Sequence, residues 1–133
     1  MRLELTLFTF ASAALLALAG LAIETKASEQ PAKVLRHIVL YKFKDDLTPA
    51  QINEVVAAFS ALPKKIDTIV GFERGTNVSP EGKSEGLTHA FVVSFRDESG
   101  RDAYLKHPAH LEYVKLASTR REKVVVFDYW SAE

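Results

Sequence analysis

Three runs of this chain read as β-strands that are apolar on both faces, and no other feature limits its fold so strongly. In the first, from about Leu35 to Lys44, alternation places Leu35, His37, Val39, Tyr41 and Phe43 on one face and Ile38 and Leu40 on the other. The run from Leu87 to Phe95 sets His89, Phe91, Val93 and Phe95 against Ala90, Val92 and Ser94. The last, Lys123 to Tyr129, contains Val124-Val125-Val126-Phe127. A sheet built from such strands needs a cover on each side.

The segments between these runs supply one cover. Thr48-Pro49-Ala50-Gln51 offers an N-cap hydroxyl, a proline at the first helical position and a Gln at the third. Ile52, Val55, Val56, Phe59 and Leu62 then recur at helical spacing, with Pro63 ending the helix. A further strand spans roughly Thr68 to Val78, and Ser79-Pro80-Glu81-Gly82 reads as a turn. Downstream of Leu87–Phe95, a short helix follows Asp97, and a second helical segment, Ala109 to Ser118, begins after Pro108. The order is β-α-β-β-α-β, an α+β, ferredoxin-like arrangement with a four-stranded antiparallel sheet and helices on one face. The other face would expose Ile38, Leu40, Ala90, Val92, Val125 and Phe127. Two readings follow. A second copy covers this patch, making a dimeric α+β barrel, or a monomer tolerates it because Lys42 and Ser94 soften it.

Upstream of the domain the character changes. Leu5 to Ile23 is apolar or small throughout, follows Arg2, and ends in Ala17, Ala19, Gly20 and Ala22. Residues 1–22 therefore read as a secretory signal peptide, with Ala17-Leu18-Ala19 or Gly20-Leu21-Ala22 as cleavage sites, or as an N-terminal anchor if uncleaved. Either places the domain outside the cytoplasm, secreted or periplasmic. Residues 23–33 read as a flexible leader, and 34–130 as the domain.

Charge and cysteine content remove several function classes. Lys plus Arg and Asp plus Glu are both 17, a formal net charge of zero, so the basic excess of a nucleic-acid binder is missing. With no cysteine there is no disulfide, thiolate nucleophile or zinc–thiolate site. The histidines lack metal-ligand spacing, so no metal site is expected, and no cofactor fingerprint is present.

Chemistry concentrates in the four histidines and one tyrosine. His37 and His89 share a strand face with Val39, Tyr41, Phe91 and Val93, while Tyr104, His107 and His110 cluster in Tyr104-Leu105-Lys106-His107-Pro108-Ala109-His110. Imidazole abstracts protons near neutrality, and a phenol can donate to a developing oxyanion. An apolar pocket with such groups suits a small apolar or aromatic ligand. In the alternative, His37 and His89 are hydrogen-bonded core residues, His107 caps a helix and Tyr104 fills volume.

The run His37-Ile38-Val39-Leu40-Tyr41-Lys42-Phe43-Lys44 resembles the opening strand of the stress-responsive A/B barrel (Dabb) family. Asn77-Val78-Ser79-Pro80-Glu81-Gly82 with Gly86-Leu87-Thr88-His89-Ala90 resembles its hairpin and third strand. Tyr104 to His110 resembles its most specific motif, and Val126-Phe127-Asp128-Tyr129 its last strand. The resemblance implies a homodimeric α+β barrel with a small-molecule pocket between sheet and helices. In a plant polyketide-cyclase branch this fold performs a cofactor-free aldol cyclisation. The positions concerned correspond to His37, His89, Tyr104 and His110. By that resemblance His110 is the general base, Tyr104 orients it or stabilises an enolate, and the strand histidines polarise the pocket. Val55, Phe59 and Phe91 would then line a tail pocket. A non-catalytic structural stress protein is the other function the resemblance allows. Cofactor-free oxygenation follows only by analogy of fold.

Overall fold

A computed structural model describes residues 33–131 of the chain. The stretch over 1–22 expected to be an export segment, and the expected leader over 23–33 apart from Lys33, lie outside the described residues. Strand β1 is Leu35–Phe43, followed by helix α1, Pro49–Ser60, and a short 3-10 turn, Leu62–Lys64. Strands β2, Ile69–Thr76, and β3, His89–Phe95, precede helices α2, Glu98–Lys106, and α3, Pro108–Arg120. Strand β4, Arg121–Trp130, closes the domain. The sheet order is β2-β3-β1-β4 with every neighbouring pair antiparallel, so the ferredoxin-like arrangement holds.

Local chemistry accounts for the helix boundaries. The Thr48 hydroxyl accepts from the Gln51 backbone N–H at 3.3 Å, and the Gln51 side chain accepts from the Thr48 N–H at 2.9 Å, completing the capping box. Helix α1 stops at Ser60, and Pro63 sits inside the 3-10 turn rather than at the helix end. His107 and Pro108 divide the last helical stretch: the backbone of His107 is extended, as a residue before proline prefers, so α2 ends and α3 starts afresh. Strand β3 begins two residues later than the pattern suggests, because the loop before it turns through Glu85 and Gly86, both at positive φ. Strand β4 begins earlier, at Arg121.

Along β1, buried and half-buried residues alternate without a break. Leu35, His37, Val39, Tyr41 and Phe43 face the helices. Phe59 of α1 sits at the centre of this layer, stacked on Phe91 at 4.4 Å, and also meets Tyr113 at 4.5 Å and Phe72 at 5.5 Å. Helix α1 thus covers the β2–β3 side of the sheet. The β1–β4 side is less filled: Val124 and Val126, on the same face, remain 36% and 54% exposed.

The opposite face carries the apolar patch. Register places Ile38 beside Val92 and Phe127, and Leu40 beside Ala90 and Val125. Phe127 is 64% exposed. Polar relief comes from Arg36, which donates to Ser94 at 2.6 Å, and from Lys42, paired with Glu122 at 2.8 Å.

Candidate active site

The unfilled region over β1 and β4, roofed by α2 and α3, is a cleft of about 440 Å³. Its floor comes from the paired rows His37–Asp128, Val39–Val126 and Tyr41–Val124. Tyr104, Leu105, His110 and Tyr113 descend from the helices.

Hydrogen bonds place a proton on Nδ1 of two imidazoles. Nδ1 of His110 lies 3.2 Å from the Leu105 carbonyl oxygen. A carbonyl only accepts, so Nδ1 carries the proton and Nε2 is left as the basic nitrogen. Burial pushes the His110 pKa below its ordinary value, against the pull of the Leu105 carbonyl, and the neighbouring His37 and His107 add to the depression. His110 is therefore a neutral base at neutral pH. His37 is buried, and its Nδ1 donates to Oδ1 of Asp128 at 2.7 Å. Oδ2 of Asp128 accepts from Arg101 at 3.1 Å, and Arg101 also donates to Asp102 at 3.0 Å, so a chain of four residues fixes the His37 ring.

Tyr104 lies between the two histidines. Its ring centre is 4.2 Å from that of His110 and 5.7 Å from that of His37. Its hydroxyl makes no hydrogen bond among the described residues, and burial raises its pKa far above the ordinary phenol value. It is a proton-holding donor and not a base.

Of the residues expected from sequence, the cleft brings together His37, Val39, Tyr41, Phe59, Tyr104 and His110. His89 is elsewhere. Register sets it opposite Tyr41 on the far side of β1 from β4, where it meets the ring of Phe43 at 5.0 Å and the Thr88 hydroxyl at 2.8 Å. Val55 on α1 and Phe91 on β3 are buried in the core and do not line the cleft. His107 caps α3, its Nδ1 accepting from the Ala109 N–H at 3.1 Å, as the helix-capping alternative anticipates. Asp128, Arg101, Tyr113 and Arg121 line the cleft without having been singled out. Asp128 had a usable signal, because it shares strand parity with Val124 and Val126 inside an apolar run. Among the described residues no cluster of His, Asp or Glu is arranged to hold a metal.

Residues 35–131 match the model of the stress responsive A/B barrel domain family. Olivetolic acid cyclase of Cannabis sativa is 32% identical over 95 residues, covering 71% of this chain and 94% of the cyclase. The structure of hydroxynitrile lyase from Passiflora edulis is similar, with a TM-score of 0.73, 28% identity, and coverage of 77% of this chain and 97% of the lyase. So is a dimeric protein of unknown function and ferredoxin-like fold from Bacteroides fragilis, with a TM-score of 0.59, 30% identity, and coverage of 72% and 94%.

Proposed function

The chain belongs to the stress-responsive A/B barrel domain family, and we propose that it is a homodimer whose cleft performs cofactor-free proton transfer on a small carbonyl compound, as a cyclase or lyase. The observation that carries this reading is the fixed tautomer of His110: a neutral imidazole whose Nδ1 proton is donated to the Leu105 carbonyl, beside a free phenol, in an open cleft. Similarity to a cyclase and to a hydroxynitrile lyase supports it.

In the proposed step, Nε2 of His110 removes a proton from the carbon next to the substrate carbonyl. The electron pair of that C–H bond moves into an enolate, whose oxygen accepts from the Tyr104 hydroxyl. The enolate carbon attacks a second carbonyl carbon of the substrate, forming the new C–C bond and an alkoxide. The imidazolium, made more acidic by burial, gives its proton to that oxygen. Asp128 and Arg101 hold His37 in one orientation at the end of the cleft. Val39, Val126 and Phe59 give the substrate an apolar bed.

The apolar rear face and the dimeric state of the similar Bacteroides protein support the homodimer. The apolar stretch over residues 1–22 supports export, which the mass of the mature protein from its host would check by loss of that segment.

The test is turnover of a panel of β-polyketide thioesters by the wild type, His110→Ala and Tyr104→Phe. Loss of about 10²–10⁴ in rate is expected for the first variant and about 10²–10³ for the second. Unchanged turnover in both would end the proposal.

A further inference from the structure

The proposed chemistry occupies one end of the cleft and leaves a polar cluster at the other end unused. Tyr41 lies four residues along β1 from His37, about 13 Å at the rise of a strand. Its hydroxyl is 2.8 Å from that of Tyr113, and both residues are buried. Arg121, at the start of β4, places Nη1 3.5 Å from the Tyr41 oxygen, with its guanidinium carbon 5.7 Å from the Tyr41 ring centre. All three line the cleft.

The arginines of this region differ in how they are neutralised. Arg101, at the His37 end, is paired with Asp102 and Asp128. Arg120, next in sequence to Arg121, is paired with Glu54. Arg121 has no carboxylate partner among the described residues, and its one hydrogen bond is a long one to a neutral phenol. A half-buried guanidinium in a cleft wall thus keeps most of its fork of donors for something that enters. The tyrosine pair adds one more donor. Arg121 can only donate, so the Tyr41 oxygen accepts from it. Within the pair one hydroxyl donates to the other, and one O–H is left over. Burial, together with Tyr41, holds the Tyr113 pKa far above the phenol range, so Tyr113 keeps its proton. Between this cluster and the His37 end the floor is Val39 and Val126, which offer nothing polar.

We propose that Tyr41, Tyr113 and Arg121 form an anion anchor, and that the substrate is a small oxo-carboxylate with an apolar middle. Its carboxylate accepts from the Arg121 fork and the free tyrosine hydroxyl. Its carbonyl reaches Tyr104 and His110, the latter with its ring centre 6.4 Å from that of Tyr113. This assignment rests on reading the cleft as the substrate site and adds the class of molecule that fits it.

The test uses oxo-carboxylates of increasing chain length, from levulinate upward, each paired with its methyl ester, titrated calorimetrically into the protein. At least one acid is expected to bind about tenfold or more tightly than its ester, the worth of a charge-assisted fork. Arg121→Met should lower the acid to the affinity of the ester while leaving the ester unchanged. Arg121→Lys, which keeps the charge and loses the fork, should fall between. The proposal is overturned if no acid in the series is preferred over its ester in the wild type, weak binding by both included. It is also overturned if Arg121→Met keeps the preference. His110→Ala should retain the preference for the acid; a variant that loses turnover but keeps it supports the anchor independently of the chemistry.

Discussion

Replacing Asp128 tests whether the chain of residues behind His37 contributes to the fold as well as to the site. Asp128 accepts from the buried Nδ1 of His37 at 2.7 Å, and its side chain is 25% exposed. In Asp128→Ala the His37 N–H has no replacement partner in a site where its side chain is 6% exposed. An unsatisfied buried donor of this kind costs about 1–3 kcal/mol, so about 2 kcal/mol is expected. Arg101 keeps its bonds to Asp102 and adds little to the loss. For a domain of this size about 2 kcal/mol lowers the melting temperature by about 8–16 °C. Asp128→Asn keeps an oxygen that His37 can donate to and loses the charge assistance and the part-exposed Arg101 bond, together about 1 kcal/mol or about 4–8 °C. The assay is thermal and urea unfolding followed by circular dichroism at pH 8. Protein concentration is held fixed, because the stability of a dimer depends on it. An alanine variant as stable as the wild type, or an asparagine variant less stable than the alanine one, would refute the reasoning.

Two further outcomes follow from the geometry. Phe127→Glu puts a charge in the middle of the rear apolar face and should convert the proposed dimer into monomers by sedimentation, with an unchanged dimer counting against that interface. Burial lowers the folded-state pKa of His110, and of the half-buried His89, below the ordinary 6.5. In that window the unfolded chain binds more protons, so stability is full above pH 6.5 and is lost as pH falls through the folded values. Turnover should follow the His110 limb alone, rising with pH through its depressed pKa and flat above, and a rate that instead falls over that range would contradict the base assignment.

The strand faces were legible in the sequence because a period of two is a local property, and Leu35 to Phe43 keeps it without a break. The capping box at Thr48 is local for the same reason. The site was only partly legible, because it depends on which strands are neighbours and in what register. His37 and His89 share a face, but antiparallel pairing sets His89 opposite Tyr41 and Val93 opposite His37, so the two imidazoles lie at different ends of the sheet. Likewise Asp128 is opposite His37 only through the β1–β4 pairing. Periodicity could not say that α1 fills the β2–β3 side and leaves β1–β4 open. That packing buries Val55 and Phe91 and gives the cleft to Tyr113 and Arg121.

The tautomer and charge of His110 are the most direct measurement. Long-range nitrogen–proton correlation on ring-labelled protein at pH 7.5 should show a protonated Nδ1 and an unprotonated Nε2 for this residue. A doubly protonated ring, or a proton on Nε2 alone, would contradict the account.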